Sequence, residues 1–352
     1  MVLDELAVPI VLAPLAGGPT TPALAAAVSN AGGLGFLAAG YLTSAALGEQ
    51  IAAATKLTGR PLGVNVFVPG QPGSASAAIA DYAAELAGEA HAASTELGEP
   101  RYDDDDWDAK LALLESAVPA VCSFTFGCPD AAVIAKLRAA GSEVWVTVTR
   151  PAEAELAAGA GTDALVLQGA EAGGHRASFT DDPADDLADG IGLISLLQLV
   201  RARVDLPVVA AGGIGTGAAI AGALAAGASA AQLGTAFLRC PEAGTAAVHR
   251  KALDADTATA MTRAFTGRLA RGIRNNFIDS HSATVPAAYP EVHYLTAPLR
   301  GAGRKTGNQE LVNLWAGQAH ELGSALPAAD LVAKLAAEAR DALRQAAGRW
   351  AG

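Results

Sequence analysis

Pro207-Val208-Val209-Ala210-Ala211-Gly212-Gly213-Ile214-Gly215 carries a short apolar run into a glycine-rich turn, and the Ala-rich stretch behind it ends at a second apolar run, Ala230-Ala231-Gln232-Leu233. An apolar run without polar alternation reads as a strand covered on both faces, and the helix-forming stretch between the two is long enough to return the chain for parallel pairing. The same unit recurs upstream. Candidate strands at 9–13, 34–38, 62–67, 120–126, 144–149 and 164–168 join those at 207–211 and 230–233 to make eight. Eight buried parallel strands point to an α/β fold, a closed (β/α)8 TIM barrel in preference to an open doubly wound sheet.

Beyond the eighth strand the repeat stops. Residues 241–305 are more polar and hold much of the remaining His, Tyr and Arg, which predicts a small helical subdomain over the C-terminal face of a 1–240 barrel; 306–352 then reads as C-terminal helices packing back on it. Two acid-rich stretches, 88–108 with Asp103-Asp104-Asp105-Asp106 and 181–189, read as solvated loops without chemistry.

Composition narrows the function. The 352 residues are 51% hydrophobic and 17% charged, and a net charge of -12 without any basic run disfavours nucleic-acid and anionic membrane partners. The three cysteines, Cys122, Cys128 and Cys240, have neither disulfide-framework nor zinc-ligand spacing, and no His-Cys-carboxylate cluster suggests a metal. The start of the chain lacks a basic region and its apolar stretch is broken by Pro9 and Pro14, so a reducing, cytoplasmic setting is expected. Oligomeric state is left open by these features.

The chemistry gathers at the ends of the last three strands. Gly212, Gly213 and Gly215 let backbone amides approach a phosphate where the following helix begins, and Gln232-Leu233-Gly234-Thr235 follows the neighbouring strand, so the two loops would lie side by side. A dinucleotide fold is the weaker reading, because Gly213-Ile214-Gly215-Thr216-Gly217 lacks the GxGxxG register. After the sixth strand comes Gln168-Gly169-Ala170-Glu171-Ala172-Gly173-Gly174-His175-Arg176. His175, reached through two glycines, can serve as acid, base or hydrogen-bond donor near neutral pH, and Arg176 favours a nearby anion. Lys305 is a further candidate cation at the mouth. His91, His249, His281, His293 and His320 read as structural.

These segments resemble the nitronate monooxygenase family, formerly called 2-nitropropane dioxygenases. The likeness rests on Ala13-Pro14-Leu15-Ala16-Gly17-Gly18, Ala31-Gly32-Gly33-Leu34-Gly35, Gly63-Val64-Asn65-Val66-Phe67, residues 168–176, 210–214 and 232–238. Gly267 to Gly272, Tyr289-Pro290, Leu295 to Arg300, Gly307-Asn308 and Leu314-Trp315-Ala316-Gly317-Gln318 look like its class I branch. The resemblance implies an FMN-dependent barrel that oxidises alkyl nitronates such as propionate 3-nitronate with O2 to a carbonyl product and nitrite or nitrate. By position it assigns Ala13, Asn65, Gln168, Gly173, Gly212, Gly213 and Gln232, Leu233, Gly234 and Thr235 to FMN and His175 to substrate activation, with Arg176 and Lys305 as anion-side candidates. Leu15 stands where methionine is usual, Ala177 where glycine is, and Thr216-Gly217-Ala218 where Asp-Gly-Arg is; the acidic stretch near Asp103 looks like an insertion. An enoyl-thioester reductase or NAD(P)H:quinone reductase on a related flavin barrel, and a non-catalytic flavin-binding protein, share much of the same pattern.

Overall fold

The computed structural model describes residues 1–71, 75–183 and 190–351. Eight parallel strands form one sheet: β1 (Ile10–Leu12), β2 (Gly35–Ala38), β3 (Leu62–Phe67), β4 (Val121–Thr125), β5 (Glu143–Val148), β6 (Ala164–Gln168), β8 (Val208–Ala211) and β9 (Ala230–Leu233). The sheet order runs β1-β9-β8-β6-β5-β4-β3-β2. Its two ends meet where Leu12 N–H donates to Leu34 O (2.9 Å) and Leu34 N–H to Ile10 O (3.0 Å), so the sheet curls into a barrel. Every expected strand is present, each within a residue or two of its predicted bounds.

The helices follow the strands as a (β/α)8 repeat requires. After α1 (Val2–Glu5) come α2 (Pro22–Asn30), α3 (Ser44–Leu57), then α4 (Ser76–Glu85), α5 (Ala87–Ala92) and α6 (Trp107–Ala117) within a single crossover. The ring continues with α7 (Ala131–Ala140), α8 (Pro151–Ala160), α9 (Leu193–Arg201) and α10 (Gly217–Ala225). Beyond β9 lie α11 (Ala247–Ala252), α12 (Asn276–His281), α13 (Glu291–Thr306) and α14 (Ala328–Ala351). Helix α14 packs between α10 and α2, closing the outer ring at the place of the eighth barrel helix.

Inside the barrel, Val11, Phe36, Val121, Trp145, Val166 and Val209 are fully or almost fully buried, and α1 seals the N-terminal face with Val2, Leu3 and Leu6. That end of the barrel is a packed core, and the barrel's open end is its C-terminal face.

Residues 241–305 are not wholly helical. β10 (Thr259–Thr262) and β11 (Ala270–Ile273) form a small antiparallel sheet with β7 (Gly174–His175), an excursion of the loop after β6. This pairing fixes His175 opposite Ala270 over the barrel mouth. Strand pairing at such long sequence separation leaves no local periodicity to read.

The acidic stretch at 103–106 is also not a free solvated loop. Asp105 Oδ1 accepts from Tyr41 N–H (2.8 Å) and Asp106 Oδ2 from Ser44 N–H (2.7 Å), while Lys110, fully buried, pairs with Asp105 at 2.7 Å. Of the second acidic stretch, Asp181 accepts from Arg263 (2.6 Å); its 184–189 portion lies outside the described residues.

Candidate active site

A cavity of about 340 Å³ opens where the strands end. Ala13, Asn65, Gln168, Gly173, Gly212, Gly213 and Gln232 through Thr235 all line it, together with His175. Strand ends far apart in sequence thus meet around one space, as a closed barrel dictates.

One wall is built from backbone. Gly212 (φ +112°) and Gly213 (φ +68°) adopt left-handed conformations, and a Cβ on Gly213 would lie 2.9 Å from the Glu171 Cβ, so only glycine fits. The N–H groups of Gly213, Ile214, Gly215, Gly234 and Thr235 donate to no protein group among the described residues. Such converging free donors are what a phosphate needs. The start of α10, expected to take part, is already occupied: Thr216 Oγ1 accepts from Ala219 N–H (3.2 Å), and the Glu338 carboxylate of α14 accepts from Gly217 N–H (3.0 Å). The donors left open at this wall are therefore those of the loops and not those of the helix terminus.

The polar side chains differ in freedom. Gln168 is committed, its Nε2 donating to His175 O (3.0 Å) and its Oε1 accepting from Ala177 N–H (2.9 Å). Asn65 Nδ2 donates to Ser123 (2.9 Å) and Thr125 (3.0 Å). Gln232 is 8% exposed and its amide is free of side-chain hydrogen bonds among the described residues.

His175 Nε2 lies 2.9 Å from Thr266 Oγ1, whose own proton is directed to Arg268 O (3.2 Å); with that assignment Nε2 carries the ring proton and Nδ1 the lone pair. Phe126, Tyr289 and Trp315 surround the ring at 5.5–5.8 Å between centroids. Burial, reinforced by the Arg268 and Arg300 charges, lowers the imidazole pKa to about 3, so the ring is neutral at physiological pH.

The two predicted anion-side cations are not where they were expected. Arg176 turns away from the cavity and donates to Gln168 O (2.9 Å) and Gly169 O (2.8 Å), tying down the loop after β6. Lys305 is exposed on α13 and lines nothing. Their place is taken by Arg300 and Arg304, about two and three turns beyond His293 on the same face of α13. Arg300 is 4% exposed, donates to Thr296 Oγ1 (3.1 Å) and His293 O (2.6 Å), and has its pKa lowered to about 10 by burial and by Arg304. His293, neutral with a pKa lowered to about 2, and His249, lowered to about 4, also line the cavity, so neither is the purely structural histidine expected. The helical spacing of His293, Arg300 and Arg304 was the available signal. Among the described residues lining the cavity there is no Asp or Glu.

Fold and site together define a TIM-barrel enzyme with a small-molecule cavity biased toward anions. The nitronate monooxygenase family model matches residues 2–338. The chain is 40% identical over 350 residues to the nitronate monooxygenase of Paraburkholderia phytofirmans, covering 96% of this chain and 93% of that protein. It is 43% identical over 342 residues to that of Pseudomonas aeruginosa, covering 94% and 96%. A solved structure of nitroalkane oxidase from Streptomyces ansochromogenes superposes with TM-score 0.95 at 52% identity, covering 98% of this chain and 99% of that one. FabK from Thermotoga maritima shares the fold alone, with TM-score 0.77 at 24% identity over 99% of this chain and 97% of that one. The chain belongs to the nitronate monooxygenase family and is an oxidoreductase.

Proposed function

We propose that the protein is an FMN-dependent nitronate monooxygenase that acts on small anionic nitronates, with propionate 3-nitronate as a fitting substrate, and O2. The observation that carries this reading is charge: in a chain of net charge -12, the cavity is lined by Arg300, Arg304 and three histidines, without one carboxylate among the described residues. A buried guanidinium facing a cavity with no carboxylate beside it calls for an anionic ligand.

The residues present fit FMN. The free amides of Gly213, Ile214, Gly215, Gly234 and Thr235 match one terminal phosphate. Gln232, Asn65 and the backbone at Ala13 and Gly173, which line the same cavity, would receive the ring edges. When bound, the flavin supplies one-electron transfer and activation of dioxygen.

The chain's own residues bind and orient. Arg300 and Arg304 receive the anionic tail of the substrate. His175, neutral and fixed by Thr266, offers its Nδ1 side to the reacting group, and the aromatic enclosure of Phe126, Tyr289 and Trp315 excludes water. A histidine whose pKa lies near 3 is a weak base, so the substrate that suits this site arrives already deprotonated. That favours preformed nitronates over neutral nitroalkanes.

Oxygen uptake with propionate 3-nitronate and no nicotinamide tests the reading, alongside mass analysis of the released cofactor. Rapid uptake with FMN released is expected. Negligible uptake together with fast NADH or NADPH oxidation in the presence of a quinone or an enoyl thioester overturns it in favour of a reductase. FAD in place of FMN, or a protein that takes up no flavin, overturns the cofactor assignment.

A further inference from the structure

The acidic run and the strained turn it grips remain outside the chemistry above. Tyr41, in the loop after β2, has φ +67°, a left-handed conformation that is unfavourable for a tyrosine and persists only where its surroundings enforce it. The enforcement is explicit. Asp105 Oδ1 takes the Tyr41 N–H, and Asp106 Oδ2 takes the Ser44 N–H at the start of α3, so carboxylates hold both ends of the turn. Asp105 and Asp106 are themselves left-handed, each at φ +58°, their N–H groups bonded to Asp103 Oδ1 (2.8 Å) and Asp104 Oδ1 (3.1 Å). The fully buried Lys110 then fixes Asp105 from behind at 2.7 Å.

What this clamp positions is a ring in the cavity wall. Tyr41 stacks on His293 with centroids 4.1 Å apart and planes within 3°, and meets Phe67 edge-on at 5.6 Å. Its hydroxyl accepts from the Tyr289 hydroxyl at 3.1 Å. That bond uses the Tyr289 proton and leaves the Tyr41 proton without an acceptor among the described residues. Burial pushes the Tyr41 pKa up to about 12, so the hydroxyl keeps its proton throughout the physiological range. A strained backbone and a buried ion pair are costly ways to pack an aromatic ring; they are well suited to aiming one donor.

We propose that the Tyr41 hydroxyl donates a hydrogen bond to an anionic oxygen of the substrate, and that the Asp105–Lys110 pair is the positioning element that holds it there. This rests on the nitronate reading of the cavity. It gives the acidic run at 103–106 a role in substrate affinity.

The test combines steady-state oxygen uptake on propionate 3-nitronate with thermal shift using 3-nitropropionate as a binding probe. Tyr41→Phe removes only the hydroxyl and should raise KM about tenfold with kcat within about threefold, as for loss of a hydrogen bond to a charged group. Asp105→Asn should raise KM in the same way. The double variant should be no worse than the more affected single one, because both changes remove the same contact. Lys110→Arg, which keeps the charge, should recover affinity relative to Lys110→Met. An unchanged KM in Tyr41→Phe, or effects of Tyr41→Phe and Asp105→Asn that multiply, overturns the proposal. If wild type shows no nitronate-dependent oxygen uptake the nitronate reading falls; the anion-donor role then stands only if 3-nitropropionate raises Tm in wild type and not in Tyr41→Phe, and falls if it does not.

Discussion

Replacing Arg300 by glutamine tests the electrostatic core of the proposed function. The side chain is 4% exposed and bonded only to neutral partners, Thr296 Oγ1, His293 O and the His293 ring. A ligand carboxylate about 4 Å from it gains about 4 kcal/mol of Coulomb attraction at an effective dielectric of about 20. Truncating one member of such a pair costs roughly 2–4 kcal/mol, equivalent to about 30- to 1000-fold in kcat/KM. Initial rates of oxygen uptake with propionate 3-nitronate and with propane 2-nitronate separate the two charges. Arg300→Gln should lose activity in that range on the dianion and at most about tenfold on the monoanion. Its Tm without ligand should match or slightly exceed that of wild type, since an unpaired buried charge has been removed. Equal losses on both nitronates, with flavin content unchanged, would refute the assignment of Arg300 to the anionic tail.

Three further outcomes follow from the same geometry. Gly213→Asp sets a carboxylate among the free loop amides and should reduce flavin affinity at least about 100-fold by equilibrium dialysis, whereas Gly213→Ala, which shares the φ +68° strain and the contact with Glu171, should lose much less; equal affinities for the two variants would remove the phosphate from this loop. With His175 neutral down to about pH 3, kcat/KM on a preformed nitronate should show no histidine inflection between about pH 5 and 8, and a neutral nitroalkane should be turned over only in step with its own ionisation; a wild-type inflection near pH 6.5 that disappears in His175→Asn would restore general-base catalysis. His175, His249 and His293 are all depressed in the fold, to about 3, 4 and 2, from 6.5. The unfolded chain therefore takes up protons that the native state refuses, so their stabilisation is complete above pH 6.5 and is lost as pH falls, at up to about 1.4 kcal/mol per pH unit for each. Urea midpoints should drop between about pH 7 and pH 5, and less so in His293→Phe; a flat profile would mean that these rings are not held neutral.

Much of the site was visible at the level of residues. All the cofactor-side candidates but Asn65, which sits two residues inside the end of β3, lie at or just beyond the end of a barrel strand, and a parallel barrel brings all such ends to one face whatever the helices do. Gly212 and Gly213 belong to the same class of inference, since a left-handed backbone is a local property of the chain.

Direction and charge pairing are different. Arg176 and Arg300 are the same residue type and both lie beside His175 in sequence or space, yet one turns back to clamp two carbonyls and the other faces the cavity. The aspartates at 103–106 read as solvent-loving in the sequence, and only the approach of α6 and of the loop after β2 gives them a buried lysine and a strained tyrosine to hold. Strand periodicity and glycine conformation are written in near neighbours along the chain, so the sequence alone determined the barrel and the glycine-rich loops at its mouth. Where a long side chain points, whether it finds a counter-ion and what its pKa becomes depend on which elements the fold packs around it and how deeply they bury it, and these only the tertiary structure decided.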